Sequence, residues 1–342
     1  MPLHPSVSGF ISAIPKVELH VHLVGSADPT VVAALAARHN STTVPHDADA
    51  VSTYLAFTSF EHFIDVYGAV NALVTTPADI ADLIATAGAR LAAQNVRYAE
   101  MTITPFSHVN TGIPYGAVKD ALTEGRRRAQ AHGIDFAWVF DIPGEMGIEA
   151  TNATTTWATD DPPDHLVAFG LGGIEAGVDR AGFAEHFDRA RATGLRSVPH
   201  AGEGDGPASI WAALGFLRAD RIGHGIRAIE DARLIDHLVR HRVPLEVCPS
   251  SNVCTRVVPD LAAHPVKQLL DAGVVVTLNT DDPPMFSTTL TDEYERVAET
   301  FGLSVTEIGL IARNGINAAF IDDATKQQWC TEIDDLAAAN TT

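Results

Sequence analysis

Residues 15–25, Pro-Lys-Val-Glu-Leu-His-Val-His-Leu-Val-Gly, constrain this chain more than any other stretch. Val17, Leu19, Val21 and Leu23 recur at every second position, which predicts a β-strand. Successive side chains of a strand point to opposite faces, so His20 and His22 share one face while Leu19, Val21 and Leu23 take the other. Two imidazoles at the end of a strand are half of a metal site, because neutral histidine is a good zinc ligand. A polar pair on an exposed strand face is the plainer alternative, and the stretch by itself leaves the two balanced.

Short β-like runs and helical segments alternate along the rest of the chain. Further strands are predicted at 96–102, 136–141, 167–171, 195–200, 221–223, 244–247 and 274–279. Helices are predicted at 29–38, with Asp28 as N-cap, and at 77–94, 115–132, 183–193, 210–217, 228–241 and 266–272, with a helical tail from Thr291. Residues 40–53 are polar and predict a loop. Eight strands alternating with helices indicate an α/β protein, a (β/α)8 TIM barrel. With 342 residues, no linker and no internal repeat, residues 1–342 are expected to form a single domain.

The segment 54–67 holds five aromatic rings in fourteen residues. An amphipathic helix with its rings buried accounts for most of them. The sharper expectation is a lid, with Phe57 and Phe60 closing over an aromatic ligand.

Charge and cysteine content narrow the partners. Acidic residues outnumber basic ones by 43 to 23, a net charge of -20, which would repel a phosphate backbone and argues against nucleic acid. The three cysteines, Cys248, Cys254 and Cys330, form no CxxC pair, so neither a disulfide framework nor a zinc ribbon is expected. No secretory pattern opens the sequence and no apolar run reaches the length of a membrane span, so a cytoplasmic protein without membrane contact is expected. Nothing here indicates an oligomeric state.

In such a barrel the working groups lie just after the strands. Strand one ends in His20 and His22, strand five in His200, strand six in His224, and strand eight in Asp281-Asp282. One strand-end histidine among 15 would mean little, but several, flanked by glycines that admit a ligand to the backbone, are hard to read as merely structural. Three imidazoles, one carboxylate and an open position suit one zinc, which lowers the pKa of a bound water to about 7. A second metal would want a bridging lysine after strand four. Lys16, Lys119, Lys267 and Lys326 are the only lysines, and none stands there.

The set resembles the adenosine deaminase family of the amidohydrolase superfamily. The matching segments are 15–25, 197–203, 222–225, 246–252 and 278–283, including Pro-His-Ala-Gly-Glu and Asn-Thr-Asp-Asp-Pro. The resemblance implies that His20, His22, His200 and Asp281 bind one zinc, or another divalent transition metal. It implies that His224 orients the attacking water, that Glu203 protonates the purine N1, that Asp282 bonds N7 and that the Gly173 backbone meets N3. Addition of hydroxide at C6 breaks the aromaticity of the ring, so N1 must gain a proton, and a carboxyl three residues after a zinc histidine can reach both atoms. The Pro-Cys-x-x-Cys signature of the cysteine-ligated deaminases is absent.

Departures from the family pattern carry the substrate expectation. Val24 stands where the nucleoside deaminases have an acid that accepts the ribose 5′-hydroxyl, and an unpaired buried hydroxyl costs roughly 1–3 kcal/mol. Thr102 stands in place of arginine, and Ile174 in place of an acid. These variants resemble the aminodeoxyfutalosine deaminases of menaquinone biosynthesis, whose product is futalosine and whose substrate is an adenine nucleoside extended at C5′ into a carboxyphenyl ketone. Arg256 would pair with its carboxylate, unless it is an ordinary loop arginine. The alternatives are an adenosine or deoxyadenosine deaminase and, more remotely, another amidohydrolase or an inactive binding protein.

Overall fold

The computed structural model describes residues 4–340. β1 (Lys16–His22), β2 (Val96–Ile103), β3 (Asp135–Pro143) and β4 (Leu166–Gly172) lie side by side in parallel. β5 follows in two pieces, Arg196–Ser197 and His200–Ala201. The first pairs with β4, the second with β6 (Ile222–His224). β7 (Leu245–Val247) and β8 (Val276–Leu278) complete the series. β5 is broken at Val198-Pro199 because proline has no N–H to give to the ladder. The seam stays closed, since Val198 N donates to Phe169 O at 2.9 Å and Gly223 N to Pro199 O at 3.0 Å.

The other seam joins the ends of the sequence. Val21 bridges Asp281, Asp281 N donates to His20 O at 2.9 Å, and His22 N donates to Asp281 O at 3.0 Å. Eight parallel strands therefore close into a barrel, as predicted. Apolar residues such as Phe136, Trp138, Phe140, Ile80 and Leu122 are buried in the layer shared by strands and helices. The helices Pro77–Ala92 and Tyr115–Gln130 pack closely, and Gly125 is needed there: a Cβ would lie 2.7 Å from Ile84.

Inside the barrel an ionic core replaces the usual branched apolar layers. Arg221 pairs with both Glu100 and Glu246, and all three are buried. The Arg221 guanidinium carbon lies over the Phe320 ring, 4.0 Å from its centroid, and Phe320 N donates to Glu100.

Several helices depart from expectation. Part of the predicted 40–53 loop is helical, in Ala48–Tyr54, because the Asp47 side chain caps Asp49 N and Ala50 N. Pro5–Ala13, Pro105–Asn110, Gly147–Asp160 and Pro249–Cys254 are further helices. Three of these four begin at proline, whose fixed φ suits a first helical position. The 54–67 segment is not one helix: the chain leaves the helix after Tyr54 and re-enters at Phe60–Asn71, with Ser59 as N-cap. No helix of the described residues is long and apolar enough to cross a membrane.

Candidate active site

The strand ends bring a cluster of nitrogen and oxygen donors together. His20 gives its Nδ1–H to Glu246 at 3.0 Å, and His200 gives its Nδ1–H to Leu171 O at 3.1 Å. Both rings therefore turn Nε2 inward. His200 Nε2 lies 3.3 Å from His22 Nε2. His22 Nε2 lies 3.2 Å, and His20 Nε2 3.7 Å, from Asp281 Oδ1. Ser251 Oγ donates to the other oxygen, Asp281 Oδ2, at 2.7 Å. His20 Nε2 is buried with no hydrogen-bond partner.

This donor set fits a divalent cation. The ligand atoms of His20, His22 and Asp281 lie within 4.8 Å of one another, as do those of His20, His200 and His224. Imidazole lone pairs that converge on one another repel unless a positive charge lies between them. Burial holds His20 and His200 well below the usual imidazole range. Burial also opposes charge on His22, but its bond to Asp281 and the charges of Asp282 and Asp141 outweigh this and push it up to about 10. The site thus favours one positive charge at its centre. Hydrogen bonds at the far ring nitrogens, from His20 to Glu246 and from His200 to the backbone, are the outer contacts that orient metal-binding histidines.

The backbone is bent to make this cluster. His224 and Asp281 have φ of +59° and +63°, a region uncommon for residues with a side chain. The barrel seam holds Asp281 there. Gly223 has no room for a side chain, because a Cβ would lie 2.9 Å from His20 Cε1.

A cavity of about 300 Å3 opens over the cluster. His22, His200, His224, Asp281, Asp282 and Glu203 line its floor, with Gly173 beside them. Phe63, Ile64, Tyr67 and Met146 supply an apolar wall, and Thr104, bonded to Asp141 at 2.6 Å, a polar one. Burial raises the Glu203 carboxyl above the ordinary range. Asp282 is raised further, by burial and by the adjacent Asp281 charge, and its buried Oδ1 has no partner. Burial therefore shifts both carboxyls toward their protonated forms.

Eight predicted site residues meet here: His20, His22, His200, Asp281, Glu203, His224, Gly173 and Asp282. Three others do not reach the cavity wall. Val24 is buried in the core, because the chain turns at once (Ser26 N to His22 O) and Gly25 backs onto Asp282 instead. Phe57 packs its ring against Phe63 and Phe286. Arg256 stands beyond the short helix Pro249–Cys254, at φ +64° and exposed. The side chain of Phe60 lies outside the described residues. Of the aromatic segment, the helix Phe60–Asn71 does reach the cavity, through Phe63, Tyr67 and Asn71, spaced four apart on one face, with Ile64 beside them.

Sequence reasoning missed two carboxylates. Glu246 fixes His20, and its only signal was an acid in the middle of an otherwise apolar strand. Glu175 accepts from the backbone N–H groups of Gly202, Glu203, Gly204 and Asp205, so one side chain shapes the turn that carries Glu203. Arg180 pairs with Glu175 and also donates to His200 O at 2.9 Å.

The adenosine deaminase family model matches residues 15–336. An aminodeoxyfutalosine deaminase of Streptomyces avermitilis is 51% identical over 333 residues, covering 96% of this chain and 93% of its own. The crystal structure of an adenine deaminase from Arthrobacter aurescens has a TM-score of 0.90 at 30% identity, covering 95% of this chain and 100% of that one. A zinc-bound amidohydrolase from Burkholderia ambifaria has a TM-score of 0.91 at 27% identity, covering 100% of this chain and 96% of that one.

Proposed function

Because this chain belongs to the adenosine deaminase family, we propose that it hydrolyses the 6-amino group of a 5′-extended adenine nucleoside, aminodeoxyfutalosine, to give futalosine and ammonia. The observation that carries the substrate is the half-identity to the Streptomyces enzyme over nearly the whole of both chains. The cavity is consistent with it: beyond the floor, Phe63, Ile64 and Met146 offer an apolar wall to an aryl extension. Val24 does not enter this reading, since it is not on the wall.

His20, His22, His200 and Asp281 would hold one zinc ion. When bound, the ion supplies Lewis acidity that makes hydroxide available near neutral pH. The residues of the chain do the rest. Glu203, whose carboxyl burial shifts toward the protonated form, gives its proton to N1 as C6 becomes tetrahedral. Asp282, shifted the same way by burial and by the adjacent Asp281, donates to N7, which has a lone pair and no hydrogen. The backbone at Gly173 meets N3. Position 173 admits no side chain of its own, because a Cβ there would lie 2.0 Å from Glu145 Oε2. His224 orients the attacking water; one proton of that water returns to Glu203, the other passes from the new C6 hydroxyl to the amine, and the C6–N bond breaks to release ammonia and leave a C6 carbonyl. We read residues 1–342 as one domain serving this single site, in the cytoplasm.

The test compares aminodeoxyfutalosine, adenosine, deoxyadenosine and adenine by the ultraviolet change on deamination, alongside metal analysis of the protein. Aminodeoxyfutalosine is expected to have the highest kcat/KM, with one zinc per chain. A higher value for adenosine or adenine would overturn the substrate, and two metals per chain would overturn the site.

A further inference from the structure

A chain of hydrogen bonds runs from the protein interior to the two groups assigned above to water and proton handling. Its innermost link is Val266 N, which donates to His264 Nδ1 at 3.1 Å. A backbone N–H is only a donor, so Nδ1 of His264 carries the lone pair and its proton sits on Nε2. Burial holds this imidazole down at about 4, so it stays neutral at any working pH.

His264 Nε2–H then donates to Asn252 Oδ1 at 3.2 Å. This fixes which end of the amide is oxygen. The flipped amide would set N–H against N–H at His264 and oxygen against oxygen at Glu203. In the orientation that remains, Asn252 Nδ2 gives one hydrogen to His224 Nδ1 at 3.2 Å and the other to Glu203 Oε1 at 3.4 Å. Asn252 is fully buried, so water does not supply either bond.

We propose that Asn252, oriented by His264, is the positioning residue that sets the tautomer of His224 and the proton-bearing oxygen of Glu203. His224 accepts at Nδ1 and therefore carries its hydrogen on Nε2. That atom lies 3.7 Å from Glu203 Oε2 and 3.9 Å from Asp281 Oδ2, so it faces the cavity. His224 is thus a hydrogen-bond donor to the attacking water and not the base that deprotonates it. Glu203 Oε1 is engaged by Asn252, which leaves Oε2, nearer the cavity-facing nitrogen, to bear the proton destined for the purine. One amide side chain keeps donor and acid in register.

This rests on the roles given above to His224 and Glu203, and the experiment separates the two. Histidine 15N spectra are recorded on metal-free and zinc-loaded protein, with His224→Gln used to identify the His224 signal. The wild type is expected to show His224 protonated at Nε2 in both forms. In Asn252→Asp the carboxylate accepts from the ring, so the proton appears on Nδ1. Misplaced catalytic tautomers cost up to about 10^4-fold in rate, and kcat is expected to fall at least about 100-fold here while KM moves less than about threefold. His264→Leu, which frees the amide to flip, is expected to lower kcat, and His264→Gln, which keeps a donor, to restore most of it. A wild-type His224 protonated at Nδ1 would overturn the tautomer assignment, whatever the substrate proves to be. Asn252→Asp with a moved proton and unchanged kcat would overturn the positioning role.

Discussion

Single side chains here work in environments that reverse their ordinary chemistry. Burial raises the Glu203 carboxyl above its ordinary range, and the sign of its pH effect follows. A raised carboxyl holds its proton to higher pH, so the alkaline limb of kcat/KM should lie above the usual carboxylate range and the rate should fall as pH rises through it. Glu203→Gln keeps the shape and one donor pair but loses the transferable proton. It is expected to reduce kcat by about 10^2–10^4-fold with little change in KM, and to remove that limb from the pH–rate profile. Retained turnover in the variant would assign the N1 proton to another group. His20 and Glu246 show the same dependence on neighbours: the imidazole points at the centre of the cluster because a carboxylate holds its other nitrogen.

Short elements place these groups. The turn 202–205 carries Glu203 and has no regular structure of its own beyond a tight Gly202, at φ +72°. Four consecutive backbone N–H groups of this turn converge on Glu175, and Arg180 pins that carboxylate from behind. Glu175→Ala should leave those donors without a partner and let Glu203 drift. The expected result is a fall in kcat of about 10–100-fold with metal content unchanged, since the geometry of an acid is worth about that much. Equal loss of zinc would show instead that Glu175 supports the cluster through Arg180 and His200. Helix starts are equally local. Thr76 and Asp79 form a capping box, as do Ser304 and Glu307, and both helices begin where those residues dictate. The short helix Pro249–Cys254 was harder to foresee, because a six-residue helix carries too little periodicity to detect.

At the scale of the molecule, the barrel encloses polar groups that its stability must tolerate. His108 is buried in the short helix Pro105–Asn110, with Nδ1 unpartnered, and burial lowers it to about 4. The unfolded chain takes up this proton near pH 6.5 and the folded one only near 4, so stability is lost as pH falls through that window. The contribution is about 3 kcal/mol between pH 7 and pH 4, from 1.36 kcal/mol per pKa unit. Urea unfolding of His108→Leu at both pH values should show a smaller acid loss than the wild type by about that amount. An identical loss would mean that His108 is protonated in the folded protein. Alternation at residues 17–23 determined β1 and put His20 and His22 on one face, because strand periodicity is local. Strand ends likewise marked His200 and His224, with glycines nearby, and Asp281-Asp282. Tertiary structure alone decided what surrounds them. The seam between β1 and Asp281, the Arg221 ionic core, the Glu175 cradle and the Asn252–His264 chain join residues 12 to 261 positions apart. Val24, Phe57 and Arg256 stand off the cavity wall for the same reason: where a side chain points outside a strand depends on how the next few residues turn and what they pack against, and spacing along the sequence does not encode that.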